Sequence, residues 1–426
     1  MEDLLRTIEK KIPRWLYRLS QPFYHYLLAW AGAVRYGFPS RQLTIIAVTG
    51  TKGKSSTTEL IAELLRAGGH KTASVSTVQI QVGDDRKPNT MKMTTPGRFF
   101  LQRLLRQAVD AGCTHAVLEM SSEGARFYRH KHIDFDALVF TNLAPEHIES
   151  HGSFAKYKKA KLRLAEAVAQ SPKPKRALIV NADDEAAEDF LDFSVPHKYT
   201  YSLKQAEPYK ADGSGSVFSF EGTSIRSPLP GTFSIYNMLA AATTARHFGV
   251  SLETVQSSLE RFAGVAGRAE NVTVPNPKKQ DRQKFQVVVD YAHTADSLKG
   301  IYEAFPNQRK ICVLGSCGGG RDKWKRPLMG EMAGTYCNAI FLTNEDPYDE
   351  DPEAIIKDVA AGIPSGGYSV ILDRREAIRE ALKAARPGDV VLITGKGTDP
   401  FIMGPNGTKE PWSDKRVAEE ELEKIL

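Results

Sequence analysis

A Gly-Lys-Ser triplet ends the phosphate-type turn in T-I-I-A-V-T-G-T-K-G-K-S-S-T-T, residues 44–58. Backbone N–H groups in such a turn, together with the N-terminus of a following helix, make a cradle for phosphate oxygens. Gly50, Thr51, Lys52 and Gly53 form the turn. Lys54 is placed to reach the terminal phosphates of a nucleotide, the Ser55 hydroxyl to ligate Mg²⁺, and Ser56 to open the helix. The longer common pattern has a glycine where Val48 stands. This is therefore a shortened G-x-x-G-K-S version, and its context of β-branched strand before and helical pattern after favours nucleotide binding.

Magnesium prefers hard oxygen ligands. Glu119 ends the strand-like run in H-A-V-L-E-M-S-S-E-G, where the C-terminal tip of a parallel strand faces the ligand crevice of an open sheet. His147 follows another strand tip in T-N-L-A-P-E-H, and Lys161 sits on the next helix. A protonated lysine cannot bind a metal, but a lysine that has captured CO₂ as a carbamate presents anionic oxygen. Each residue also has a plainer reading: Glu119 as a helix cap, His147 as a surface histidine, Lys161 as a solvated member of the basic run K-Y-K-K-A-K.

Positioning these groups requires a mostly parallel sheet. Apolar runs at 44–50, 72–77, 115–121, 137–143 and 176–182 alternate with helical patterns. The pattern restarts at 286–293, 310–316, 339–345, 368–373 and 390–397. The expected fold is α/β: a central P-loop-type domain over 44–266, a C-terminal Rossmann-like domain over 267–426, and a short helical extension over 1–43. The Ser/Gly/Thr-rich stretch 195–230 reads as an antiparallel edge insertion or hairpin. Residues 1–43 are aromatic and basic, with helical periodicity broken near Pro13 and Pro22. They suit a helical hairpin packed on the body, or a helix pair that contacts a membrane surface or a partner.

Composition narrows the class. The chain has 426 residues and a net charge of +6, which suits anionic small molecules and does not demand nucleic acid. The apolar stretch 23–34 is too short to span a bilayer, which takes about 20 residues. No secretory leader is evident, and the expected location is cytoplasmic. Four cysteines without C-x-x-C spacing read as reduced thiols.

Beyond the single loop, the strings T-G-T-K-G-K-S-S-T, T-T-P (94–96), E-M-S-S, T-N-L-A-P-E-H-I-E-S-H-G, D-Y-A-H-T-A-D-S-L, G-G-G-R-D-K-W-K-R-P, D-R-R-E-A-I and G-K-G occur in the order found in the Mur ligases. The chain most closely resembles the branch that adds the third residue of the peptidoglycan stem peptide, over about residues 44–426. The resemblance implies an ATP-dependent, ADP-forming ligase that activates an acceptor carboxylate as an acyl phosphate and joins it to an amino acid. It implies that Lys54, Ser55 and Glu119 hold phosphates and a first Mg²⁺, and that His147 and carbamylated Lys161 hold a second. Thr94, Thr95, Ser121 and Arg129 match residues that grip the acidic end of a muropeptide acceptor. Asn237 matches an adenine contact, Arg268 a domain-boundary arginine, and Asp290 and His293 groups facing ribose and phosphates. Arg321 matches the arginine for the incoming amino acid's carboxylate. Asp346, Tyr348, Gly395 and Asp399 match positions around its far end, and Lys325 and Arg326 add positive charge.

Three departures bear on specificity. Residues 1–43 are too short for the family's UDP-binding domain. The D-N-P-R string of diaminopimelate-adding members is Glu345-Asp346-Pro347-Tyr348 here, and extra acids around it favour a cationic or neutral side chain such as lysine. The usual histidines of the SSH and GKGH strings are Glu123 and Thr398. Alternative readings are a ligase for another acceptor (lipid-linked muropeptide, polyglutamate or cyanophycin-like) and a non-catalytic nucleotide-binding protein.

Overall fold

The computed structural model describes residues 14–91, 93–146, 148–364 and 367–426. His147 and Pro13 lie outside the described residues. Contacts divide the chain into two compact units. Unit 1 takes residues up to Leu143, with Ala155–Tyr201 and Ala240–Ser251; unit 2 takes Ala144–Phe154, Ser202–Leu239 and Leu252–Leu426.

In unit 1, α1 (Arg14–Arg35) precedes β1 (Thr44–Thr49), α2 (Lys54–Ala67), β2 (Thr72–Val75), β3 (Gln79–Val82), β4 (Asp85–Pro88), α3 (Arg98–Asp110), β5 (His115–Glu119), β6 (Ala137–Phe140), α4 (Phe154–Ala169), β7 (Ala177–Asn181) and β8 (His197–Tyr201). The sheet order is β4-β3-β2-β5-β1-β6-β7-β8. Strands β2, β5, β1, β6, β7 and β8 run parallel, and β3 and β4 add an antiparallel hairpin at one edge. Strands β1, β5, β6 and β7 are buried on both faces, as their continuous apolar runs require. Leu101, Leu104 and Leu105 of α3 and Leu164 of α4 fill one face with Phe135, Phe140 and Phe190. This packing leaves the C-terminal tips of β1, β5 and β6 side by side, with β1 between the other two.

Unit 2 begins with a separate three-stranded antiparallel sheet, β9 (Lys210–Asp212), β10 (Gly215–Phe220) and β11 (Thr223–Ser227). Helix α5 (Thr232–His247) belongs half to each unit, and α6 (Leu252–Arg261) follows. Then come β12 (Glu270–Asn271), β13 (Gln286–Asp290), α7 (Ala295–Glu303), β14 (Lys310–Leu314), α8 (Lys325–Tyr336), β15 (Ala339–Leu342), α9 (Pro352–Ala360), β16 (Tyr368–Val370), α10 (Arg374–Lys383), β17 (Val390–Thr394), β18 (Phe401–Met403), β19 (Lys409–Pro411) and α11 (Asp414–Ile425). The main sheet runs β12-β13-β17-β14-β15-β16 and is parallel except for β12. Thr294, Asp351, Asp373 and Ser413 accept first-turn N–H groups and start α7, α9, α10 and α11.

The α/β expectation holds, with four corrections. Stretch 195–230 is not one edge insertion: β8 joins the main sheet in parallel, and only β9–β11 are antiparallel. Helix α1 runs through Pro22 without a break, so no hairpin turn occurs there among the described residues. The β3–β4 hairpin at 79–88 was unexpected, because its polar residues hide the alternation; Gly83 makes its turn at φ 58°. Cys312 and Cys337 form a disulfide, with Cα atoms 6.1 Å apart, and are not free thiols. Cys337 sits between α8 and β15 beside β14, a tertiary neighbourhood that C-x-x-C spacing does not report. Cys113 and Cys317 are free and buried.

Arg374 and Asp414 form a nearly solvent-free ion pair that ties α10 to α11. Arg374 Nε and Nη2 reach Asp414 Oδ1 and Oδ2 at 2.8 and 2.7 Å, and Nη2 also reaches the Thr394 carbonyl at 2.8 Å. Removing one partner leaves a buried charge uncompensated, so Asp414→Ala is expected to cost about 3–5 kcal/mol in denaturant unfolding. A loss below about 1 kcal/mol would show the pair behaving like a surface bridge.

Candidate functional site

In unit 1 the phosphate turn emerges from β1 exactly where the sheet opens. Gly50 has φ 153° and Gly53 φ 79°. A Cβ on Gly50 would lie 1.8 Å from Thr141 Oγ1, so only glycine allows the loop to approach the tip of β6. Asn142 brackets the turn: its carbonyl accepts from Thr51 N–H at 2.8 Å, its Oδ1 accepts from Lys52 N–H at 2.8 Å, and its Nδ2 donates to the Lys52 carbonyl at 3.1 Å. Lys54 Nζ donates to the Thr51 carbonyl at 2.8 Å. Ser55 and Ser56 lie in the first turn of α2. Backbone amides at a helix start, curled by two glycines, fit a polyphosphate.

Glu119 and Ser55 are brought together, with Ser55 Oγ donating to Glu119 Oε2 at 2.9 Å. Both are buried. Thr77 also donates to this carboxylate, through N–H at 2.6 Å and through its hydroxyl. A hydroxyl and a carboxylate beside a phosphate cradle are the oxygen donors that suit Mg²⁺. Lys161 is 1% exposed, and its Nζ donates to the Gly50 carbonyl at 2.5 Å and lies 4.7 Å from the Tyr157 ring centroid. The Tyr157 hydroxyl pairs with Thr51 Oγ1 at 2.9 Å. Lys161 is therefore not the solvated helix lysine of the plainer reading.

The residues that the sequence resemblance assigns to the acceptor also form one cluster. Thr94 Oγ1 accepts from Thr77 at 3.1 Å, Thr95 Oγ1 donates to Ser121 Oγ at 3.2 Å and accepts from Ser121 N–H at 2.8 Å, and Arg129 Nη1 donates to the Thr95 carbonyl. Two further groups stand here. Arg98 donates to the Phe127 carbonyl, and His25 of α1 packs edge-on against the Phe127 ring at 5.3 Å. Burial, then Arg98 and Arg129, push the His25 pKa down to about 4. Burial, then Arg129, lowers Arg98 to about 10.

In unit 2, Asp290 accepts from Ala269 and Ala292 N–H groups, each at 2.6 Å. Arg268 stacks over Tyr291 at 4.4 Å. His293 Nε2 lies 3.3 Å from Glu146 Oε1, and its Nδ1 lies 2.7 Å from the Tyr291 carbonyl. Asn237 is buried on α5.

The amino-acid positions form a second cluster in unit 2. Gly318 and Gly319 press on Pro347 and Tyr348, where a Cβ would come within 2.2 Å of the Pro347 carbonyl and 2.7 Å of the Tyr348 ring. Arg321 hydrogen-bonds Tyr348, whose pKa burial raises against the arginine's opposing pull. Asp346 Oδ1 accepts from Lys396 Nζ at 2.7 Å and from Met403 N–H at 2.8 Å, and Asp399 lies 3.5 Å from Lys396 Nζ. Burial opposes the Lys396 charge, yet Asp346 and Asp399 hold its pKa above the usual lysine range. Cys317 donates to Glu345 Oε1 at 2.9 Å; burial and then Glu345 push its thiol up. Glu345 Oε2 is buried without a hydrogen-bond partner and lies against Gly395, where a Cβ would meet it at 2.5 Å. Arg326 is a structural cation: it is 1% exposed and binds Asp358 and Glu350 at 2.9 and 3.0 Å.

Sequence reasoning missed Thr77, Asn142, Tyr157, Arg98, His25, Glu345 and Lys396 as parts of these clusters. Their types carry no motif signal; only the fold brings them in. Asn142 had a cue in its place at a strand tip inside a quoted string, Lys396 stood in the G-K-G string, and Glu345 was read among the extra acids that favour a cationic side chain.

Residues 48–245 match the Mur ligase middle domain, and residues 276–397 match the Mur ligase glutamate ligase domain. A UDP-N-acetylmuramoyl-L-alanyl-D-glutamate–2,6-diaminopimelate ligase of Syntrophomonas wolfei is 37% identical over 95% of this chain and 83% of its own. A UDP-N-acetylmuramyl-tripeptide synthetase of Roseiflexus is 37% identical over 93% and 82%. A solved diaminopimelate ligase of the same description superposes with a TM-score of 0.61 at 31% identity, over 90% of this chain and 78% of that one.

Gly50→Ala is expected to weaken ATP binding by roughly a hundredfold, because the methyl must displace Thr141 or reshape the loop. Calorimetric titration checks this, and near-native affinity would mean the loop tolerates a side chain.

Proposed function

The chain belongs to the Mur ligase family, and on that footing we propose that it is a peptidoglycan-precursor ligase that joins an amino acid to a muropeptide acceptor at the expense of ATP. The single observation that carries this reading is the buried Ser55–Glu119 contact beside the glycine-bracketed phosphate turn. We assign residues 44–266 to acceptor and ATP binding and 267–426 to amino-acid and nucleotide binding.

The γ-phosphoryl group leaves ADP and bonds to an acceptor carboxylate oxygen, giving an acyl phosphate. The amine lone pair of the amino acid then attacks the acyl carbon. The tetrahedral adduct loses a proton and expels phosphate to leave the amide. Lys54 and the amides at the start of α2 hold the phosphates in line for transfer. Ser55 and Glu119 would hold a first Mg²⁺, and His147 with carbamylated Lys161 a second; bound there, the metal would neutralise charge developing on the transferred group. Thr94, Thr95, Ser121 and Arg129 orient the acceptor, and half-buried Arg98 adds a second guanidinium for its carboxylates. Asn237, Arg268, Asp290 and His293 take the nucleotide's base, ribose and phosphate edge.

Lys161 carries a carbamate in this reading: its amine nitrogen bonds to CO₂ carbon and releases a proton. Its exclusion from water beside Gly50 supports this assignment, since a carbamate persists where hydrolysis and reprotonation are limited. Arg321 takes the amino acid's carboxylate, with Asp346, Tyr348, Gly395 and Asp399 around its far end. Of the five acids at 345–351, Asp346 is tied to Lys396, Asp349 and Asp351 accept backbone N–H groups, and Glu350 pairs with Lys323 and Arg326. Glu345 alone keeps a buried oxygen without a partner. An ammonium-tipped side chain such as lysine's meets that oxygen better than the distal carboxylate of diaminopimelate does. We place the reaction in the cytoplasm, where ATP and soluble precursors meet.

Three measurements test this. Phosphate release is expected only when UDP-muramoyl dipeptide, an amino acid and ATP are all present; nucleotide binding without any acceptor-dependent turnover would favour the non-catalytic alternative. Lys161→Ala is expected to lower turnover by about 10²–10³-fold and to abolish the carbamate carbon resonance seen with ¹³C-bicarbonate; that resonance missing from the unmodified protein would remove the carbamate. Glu345→Gln is expected to lower lysine kcat/KM by about tenfold or more, with Tyr348→Arg shifting preference towards diaminopimelate. An unchanged amino-acid profile in both would clear this corner of any part in selection.

A further inference from the structure

Helix α1 has two faces of different character. Inward, Ala29 and Ala33 are 1% and 0% exposed, Gly32 packs on Phe99 of α3, and His25 meets Phe127. Outward, Phe23, Tyr26, Leu27, Trp30 and Val34 are 67%, 43%, 42%, 49% and 47% exposed. Their spacing of i, i+3, i+4, i+7 and i+11 places all five in an arc of about 100° on a helix. The stripe is about 16 Å long at helical rise. On α3, Phe99 is 42% exposed beside Gly32, and Arg103 is exposed one turn further along. A buried inner face shows that this helix is already seated on unit 1, so the outer stripe is surplus to its folding.

The charge of this stretch of sequence favours one occupant. From Lys10 to Arg41 the sequence has six Lys or Arg and no Asp or Glu. Arg35 is exposed at the end of the stripe, while Arg41, 65% exposed, already pairs with Asp134 at 3.6 Å. A second copy of the same face would set these cations against each other, whereas anionic headgroups neutralise them. Aromatic residues on the apolar face with cations at its margins are the makeup of a helix lying in a bilayer interface. No described helix is long and apolar enough to cross a membrane, so α1 would lie on the surface and not across it.

We propose that the outward face of α1 docks unit 1 on an anionic membrane surface, with Phe23, Leu27 and Trp30 entering the headgroup boundary and Arg35 held at phosphate level. This goes beyond the ligase reading and does not depend on it. Within unit 1, the same helix touches Phe127 next to Arg98 and Arg129. Docking therefore sets the acceptor corner close to the bilayer surface.

The test is co-sedimentation of the full chain with vesicles of phosphatidylcholine alone or with about one third phosphatidylglycerol. Binding is expected to the anionic vesicles only, to fall at high salt, and to drop at least about tenfold in Phe23→Glu/Trp30→Glu. Arg35→Glu is expected to weaken it without removing it. Calorimetric ATP binding and circular dichroism, unchanged in all three, show that the variants are folded. No sedimentation of the unmodified protein with anionic vesicles overturns the proposal. So does binding that the double variant retains. A concentration-dependent dimer in ultracentrifugation that the double variant abolishes, without vesicle binding, assigns the stripe to a second copy and equally overturns it.

Discussion

The phosphate turn depends on a backbone that cannot hold itself. Four residues between a strand and a helix must turn sharply, so their N–H groups, carbonyls and side chains need partners outside the turn, and Asn142 takes the N–H groups of Thr51 and Lys52. Those partners come from two neighbours. The tip of β6 supplies Thr141 and Asn142, which between them engage Thr51 and Lys52. Helix α4 supplies Lys161 on the Gly50 carbonyl and Tyr157 on Thr51. The parallel order β5-β1-β6 is what places both neighbours there, and the same order sets Glu119 beside Ser55. Sheet topology, loop shape and the Ser55–Glu119 contact are thus one constraint expressed at three scales.

In unit 2 the corresponding problem is charge. A Rossmann-like sheet buries Glu345, Asp346, Arg374, Lys396 and Asp414 within a few residues of its strand tips. Buried charges persist only when paired and hydrogen-bonded. Arg374 answers Asp414, and Lys396 answers Asp346 with help from backbone at Phe401. What remains after these pairings is Glu345 Oε2, enclosed by the Gly395 backbone and the Cys317 thiol. Of these five buried charges, Glu345 alone keeps an oxygen without a hydrogen-bond partner.

The sequence made the two α/β sheets legible because parallel strands buried on both faces read as unbroken apolar runs. Helix starts at Thr294, Asp351, Asp373 and Ser413 were equally open to reading from their capping types. The polar β3–β4 hairpin was not, since an edge strand such as Asp85–Pro88 is wholly exposed and carries no apolar period. Pro22 misled because a proline's local cost was read as a break, whereas the helix continues through it. Among site residues, the motif glycines and Lys54, Ser55 and Glu119 announced themselves by spacing. Thr77 and Tyr157 did not, because a hydroxyl at a tertiary contact leaves no pattern. The disulfide escaped for the same reason: Cys312 and Cys337 are 25 positions apart and meet only across packed elements.

The acceptor corner shows why a cluster of like charge can be stable and still incomplete. Arg98 and Arg129 lie close enough that Arg129 depresses Arg98, and both act on His25. Burial pushes His25 down to about 4, so it is neutral at physiological pH and adds no third cation. Glu123 pulls Arg129 the other way, yet among the described residues neither arginine has a carboxylate within ion-pair distance. Carbonyls of Phe127 and Thr95 hold the two guanidinium groups in place instead. Carbonyl dipoles fix direction but do not cancel charge. A carboxylate or phosphate entering this corner would relieve the repulsion and satisfy donors already aimed, so the protein's own electrostatic cost becomes part of the affinity for an anionic acceptor.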